Sequence, residues 1–167
     1  MYGGSQRAFI TGPNGLGMTD LGTLGGASSS VSGINDSGQV VGRSETATGS
    51  EHAFITGPNG QDMIDLGTLG GSFSDAAGIN EAGQVVGSSE TPTGSWHAFV
   101  TGPDGTGMTD LNSLVDLPKG IILTSATGIN NVGEVIAIAM VPEPSSYALM
   151  LAGLALVGMV IRRKEVL

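Results

Sequence analysis

The chain contains no cysteine. Disulfides and thiolate chemistry are excluded, and redox usage says nothing about compartment. Aromatic residues make up only 4% of the 167, with one tryptophan. A core with so few large rings is thin and built of many small contacts, which suits short strands better than a helical bundle. Positive charge is scarce as well. Residues 1–140 carry Arg7, Arg43 and Lys119 against thirteen acidic side chains, and the whole chain has a net charge of −9. No nucleic-acid partner is expected, because phosphate contact needs a basic footprint. Met1–Ser5 has neither a basic start nor an apolar stretch, so it does not read as a secretory signal.

What is abundant is glycine, 29 residues of it, and repetition. Aligning Arg7–Ser50 with His52–Ser95 needs no gap and gives identity at 31 of 44 positions. The triplets Arg7-Ala8-Phe9, His52-Ala53-Phe54 and His97-Ala98-Phe99 are 45 residues apart. Gly33-Ile34-Asn35 and Gly78-Ile79-Asn80 keep that period, and Gly128-Ile129-Asn130 comes five residues late, after an insertion around Val115–Ile122. A period of this length marks an array of small supersecondary units. The repeats run at about 7–50, 52–95 and 97–140 within a repeat domain at 1–140, and the chain enters the first one halfway.

Each unit reads as two hairpins. Ala8–Thr11 and Met18–Leu21 flank Gly12-Pro13-Asn14-Gly15, where proline presets φ and Asn-Gly tolerates positive φ. Leu24–Ser30 reads as a flexible connection. Val31–Asn35 and Gln39–Ser44 flank Asp36-Ser37-Gly38, a turn closed by glycine. The pattern recurs to give about twelve strands, grouped two, four, four and two. Apolar runs such as Gln-Val-Val-Gly do not alternate cleanly, which implies sheets covered on both faces. The expected fold is all-β, with four-stranded, propeller-like blades in a partial or open array. Three blades fall below the usual four to eight. The chain is therefore expected to be part of a larger array, or to complete a ring by self-association.

Val141-Pro142-Glu143-Pro144 ends the strands, since proline cannot donate to a ladder. Tyr147–Ile161 is then uncharged throughout, and Arg162, Arg163 and Lys164 stop it. A transmembrane helix at about 146–161 is expected. It would be short for a bilayer of about 30 Å and helped by snorkelling arginines. The basic cluster would face the cytoplasm and place residues 1–140 outside it. The competing reading, a buried core helix, needs cover on every side, which thin β repeats do not supply. This order of parts in 141–167 resembles the PEP-CTERM sorting signal. The resemblance implies recognition of Pro142, Glu143 and Pro144 by a membrane-embedded exosortase, export in bacteria that make extracellular polysaccharide, and an anchor that is retained or removed. The repeats resemble the HAF family of extracellular repeats in His52-Ala53-Phe54, His97-Ala98-Phe99, the Asp-Leu-Gly-Thr-Leu-Gly-Gly runs from Asp20 and Asp65, and the Gly-Ile-Asn and Gly-Gln-Val-Val-Gly segments. They depart from it at Arg7, at Asp110–Leu114 and at Gly133-Glu134-Val135.

Candidate chemistry is sparse. His52 and His97 recur at one repeat position, which suits a repeated strand contact better than a unique catalytic partner. Asp20, Asp65 and Asp110 each precede a leucine. They are candidates either for a cation site or for side-chain bonds that close their own turns; the second fits better, and no metal is assigned. Asn35, Asn80 and Asn130 start hairpin turns. Gly22–Gly26 and Gly67–Gly71 lack the helix and lysine of a phosphate loop. Trp96 could serve as a sugar-stacking platform, but a packed edge residue is the better-supported reading. The expectation is an exported, non-enzymatic cell-surface or matrix protein without cofactors. The alternative is a binding module for extracellular polysaccharide or Ca2+.

Overall fold

The computed structural model describes residues 4–142. The helix expected at 146–161, Glu143, Pro144, Arg162, Arg163 and Lys164 lie outside the described residues. Among the described residues there are twelve strands and four 3-10 turns, with no helix long and apolar enough to cross a membrane.

The strands form four small antiparallel sheets of two, four, four and two strands. The first pairs β1 (Phe9–Ile10) with β2 (Thr19–Asp20). The second is a meander of β3 (Gly25–Ile34), β4 (Val40–Thr46), β5 (Glu51–Ile55) and β6 (Ile64–Asp65). The third repeats it with β7 (Ser74–Ile79), β8 (Val85–Glu90), β9 (Trp96–Val100) and β10 (Thr109–Asp110). The fourth pairs β11 (Ile122–Ile129) with β12 (Val135–Met140). The structural unit is thus offset from the repeat at 7–50. A complete sheet runs from Gly25 to Asp65, and the Arg/His-Ala-Phe strand lies third in it.

One expectation needs correcting. Leu24–Ser30 is not a loose connection, because β3 begins at Gly25. Ser44 Oγ accepts from Leu24 N at 2.9 Å, and the Glu45 carboxylate accepts from Ala27 N at 2.9 Å. These side chains supply order that small residues and glycine do not supply themselves. The Gly-Pro-Asn-Gly turns form as their residues dictate. Asn14, Asn59 and Asp104 take φ of 61°, 59° and 53°, in the left-handed region that Asn and Asp tolerate.

Each of the three longer hairpins carries a bulge at the same place. Ser32, Ala77 and Thr127 are the extra residues, next to Gly33, Gly78 and Gly128. A bulge bends its strand and increases local twist. The glycines then allow the sheets to approach. A Cβ on Gly78 would stand 3.3 Å from the Gly128 Cα.

The sheets pack face to face in chain order. Val41, Ala53 and Ile55 of the second sheet meet Ala76, Val85 and Phe99 of the third. Val86 and Ala98 of the third meet Ala126 of the fourth, with Leu111 between them. Ala8 and Leu21 meet Val40 at the first junction. Phe54 and Phe99 are the largest fully buried side chains. Among the described residues, no buried side-chain nitrogen or oxygen lacks a hydrogen-bond partner. That is the requirement for a core so rich in serine, threonine and asparagine.

Candidate functional site

The recurring aspartates act within their own sheets. Asp20 ends β2, Asp65 ends β6 and Asp110 ends β10, each on the last strand of a different sheet. One oxygen of each closes a local turn, accepting from Gly22 N at 2.8 Å, Gly67 N at 2.7 Å and Asn112 N at 2.9 Å. The same carboxylates pair with the residue thirteen positions earlier. Arg7 Nη2 lies 3.1 Å from Asp20 Oδ2, His52 Nδ1 lies 2.9 Å from Asp65 Oδ2, and His97 Nδ1 lies 2.6 Å from Asp110 Oδ2. The variable first letter of the Arg/His-Ala-Phe triplet is therefore one half of a rung, and aspartate is the other. Sequence reading took the two halves separately. Their constant spacing of thirteen was the available signal.

These rungs differ in depth. Asp110 is the most enclosed of the three aspartates. Burial alone would raise its pKa, but hydrogen bonds from His97 and Asn112, with the His97 charge, outweigh that and hold it below the ordinary carboxylate value. Among the described residues, no group of three or more His, Asp or Glu gathers as a metal cage would.

A different constellation forms where the second and third sheets meet. Arg43 on β4 reaches Asp75 on β7, with Nη1 to Oδ2 at 3.3 Å, and Glu51 on β5, with Nε to Oε2 at 3.7 Å. These groups line a cleft of about 320 Å³ together with Phe73, Ser88 and Trp96. Phe73 and Trp96 are both close to half exposed. Burial raises the Asp75 carboxyl above its ordinary value, Arg43 opposes the rise, and Glu51 adds to it. Trp96 occupies the position of Glu51 in the preceding repeat. The single tryptophan, 44% exposed, stands on the rim of this cleft. Sequence reading singled out Trp96 but not Arg43, Glu51, Phe73 or Asp75. They come from two sheets, Arg43 on β4, Glu51 on β5, Asp75 on β7 and Phe73 just before it, which the repeat text does not bring together.

The sorting motif begins where the sheets end. β12 stops at Met140, and Val141 and Pro142 are exposed. Pro142 packs near Gly120, whose added Cβ would meet the ring at 2.7 Å. A protein-family model described as the PEP-CTERM protein-sorting motif matches residues 141–164. The match takes in Pro142, Glu143, Pro144, Arg162, Arg163 and Lys164. It implies an exported protein that is recognised by an exosortase and passes the membrane toward the cell surface. No curated protein matches the chain.

Proposed function

We propose that this chain is a non-enzymatic surface or matrix protein that displays a body of HAF-type repeats outside the cell. The observation that carries the reading is the sorting motif at 141–164, joined to the last strand with no intervening linker. The stacked sheets act as consecutive blades of a propeller-like array. The apolar run at about 146–161 serves to hold the chain in the membrane, with Arg162, Arg163 and Lys164 as its cytoplasmic stop. Non-enzymatic display is supported by how the polar groups are used, since the histidines and aspartates repeat as structural rungs. Replacing Pro142, Glu143 and Pro144 together by alanine tests it. In cells with an exosortase, the altered chain is expected to stay with the membrane fraction while the unaltered chain reaches the surface. Equal surface display of both would refute the reading.

A second reading has its own support, the cleft beside Trp96. An open indole with nearby carboxylates and a guanidinium suits a sugar ring. The ring stacks on the apolar face, and its hydroxyls donate to Glu51 or Asp75. On this reading the displayed body also holds extracellular polysaccharide.

A further inference from the structure

The two incomplete sheets are complementary halves. β1 and β2 repeat the third and fourth strands of a complete sheet, while β11 and β12 repeat the first and second. In the complete sheets, the second and third strands pair Val41 with Ile55, Arg43 with Ala53 and Glu45 with Glu51. The next sheet repeats this as Val86 with Val100, Ser88 with Ala98 and Glu90 with Trp96. Carrying these repeat positions over places Ile136 opposite Ile10, Ile138 opposite Ala8 and Met140 opposite Gln6. Among the described residues of one chain, β12 pairs only with β11, and β1 only with β2.

Burial points the same way. Phe54 and Phe99 are fully buried, whereas Phe9, their equivalent, is 43% exposed. Val41 and Val86 are fully buried, whereas Ile136 is 68% exposed. The apolar cluster between the second and third sheets includes Phe99 and Met108. The cluster between the third and fourth has nothing in those two places. By repeat position, the residues that belong there are Phe9 and Met18 of another β1–β2 hairpin. The turn glycines agree. Gly60 packs against Ile10 and Leu21, and Gly105 against Ile55 and Leu66, but Gly15 faces open space.

A polar series is cut at the same boundary. Asn35 Nδ2 donates to the Asn80 carbonyl at 3.1 Å, and Asn80 Nδ2 to the Asn130 carbonyl at 3.0 Å. Among the described residues, Asn130 Nδ2 donates only to Glu134. The next acceptor in the series is the Asn35 carbonyl of another copy.

We propose that two copies of this chain complete each other, β1–β2 of each adding to β11–β12 of the other to close a ring. Two complete sheets per copy and two shared ones make six, inside the usual range of about four to eight blades. Each copy gives to the other the contact it receives, so the pair closes about a two-fold axis and leaves only the short inner and outer edges of each blade. The proposal rests on the blade reading of the sheets and not on export, so purified chain can test it.

The chain has no cysteine, so engineered pairs report cleanly. Gln6→Cys and Met140→Cys sit at opposed positions of the shared sheet. Full-length chains carrying one change each, mixed in detergent and oxidised, are expected to form a mixed two-chain product. The doubly changed chain is expected to give a covalent pair and stop there. Native mass spectrometry of the unaltered chain should show two copies, and Phe9→Asp with Ile136→Asp should return it to one while keeping the β-type circular dichroism. No mixed product, a ladder of larger species, or an internal bond within single chains would each overturn the proposal.

Discussion

The side-chain amide of Asn35 donates to the main-chain carbonyl of Asn80, forty-five residues further on, at 3.1 Å. The same asparagine holds its own hairpin, with Oδ1 accepting from Gln39 N at 3.0 Å and Nδ2 donating to Gln39 Oε1 at 2.8 Å. Asn80 repeats the arrangement toward Asn130. One residue type in one place thus closes a turn and ties successive sheets together. Asn80→Ala removes a buried side chain and leaves several part-buried partners without their bond, at about 1–3 kcal/mol for such a group. We expect a loss of about 3 kcal/mol. Asn130→Ala, at the exposed end of the series, should cost less than about 1 kcal/mol. Urea unfolding of the two variants checks the contrast.

The His97–Asp110 rung predicts a pH effect. Asp110 has a depressed pKa in the folded chain, because the bonds from His97 and Asn112 outweigh burial. Such a group adds stability above its unfolded pKa and loses it as pH falls through the folded one. Asp110→Asn should therefore flatten the acid side of the stability profile below the ordinary carboxylate range. Asp75 has the opposite sign. Burial raises its pKa against the pull of Arg43, so its contribution is full below the unfolded pKa and is lost as pH rises through the folded one. Asp75→Asn should remove that decline. Unfolding midpoints measured across the acid range separate the two.

Gly87 shows how tightly the hairpins are set. A Cβ there would collide with the Asp75 carbonyl oxygen and stand 2.9 Å from Phe99 Cε1. The equivalent residue in the last hairpin is Ala137, which pairs with Ala126 as Gly87 pairs with Ala76 but, among the described residues of its own chain, has no third strand and no counterpart of Phe99 beside it. Gly87→Ala should cost about 2–3 kcal/mol through overpacking, and Ala137→Gly about 1 kcal/mol or less. Thermal unfolding of both variants measures the difference.

Trp96 is the sole tryptophan, so its fluorescence reports on the cleft alone. If the cleft holds sugar, neutral oligosaccharides should shift that emission. Trp96→Phe should weaken binding without changing the unfolding midpoint. Emission unmoved by any glycan tested would leave the cleft without this role.

Much of this architecture was legible in the text of the chain. The grouping into two, four, four and two strands followed from the period, and the turns followed from Pro-Asn-Gly. The local bonds of Asp20, Asp65 and Asp110 followed from their place before a leucine. What stayed hidden was contact between segments far apart. The pairing of His52 with Asp65 depends on β5 and β6 lying side by side. The ladder through Asn35, Asn80 and Asn130 depends on how sheets stack, and periodicity alone does not fix stacking. The order in Leu24–Ser30 comes from Ser44 and Glu45 across the sheet, so glycine and serine content misread it. The cleft at Trp96 draws on Arg43 and Asp75, positions where the repeats differ.

The central claim is display outside the cell through the sorting motif at 141–164. Its most direct measurement is protease shaving of intact cells that make the full chain, with and without their exosortase. The account predicts that the repeat body is released from cells with the enzyme and not from cells lacking it. Release that is the same in both, or a body protected in both, would contradict it.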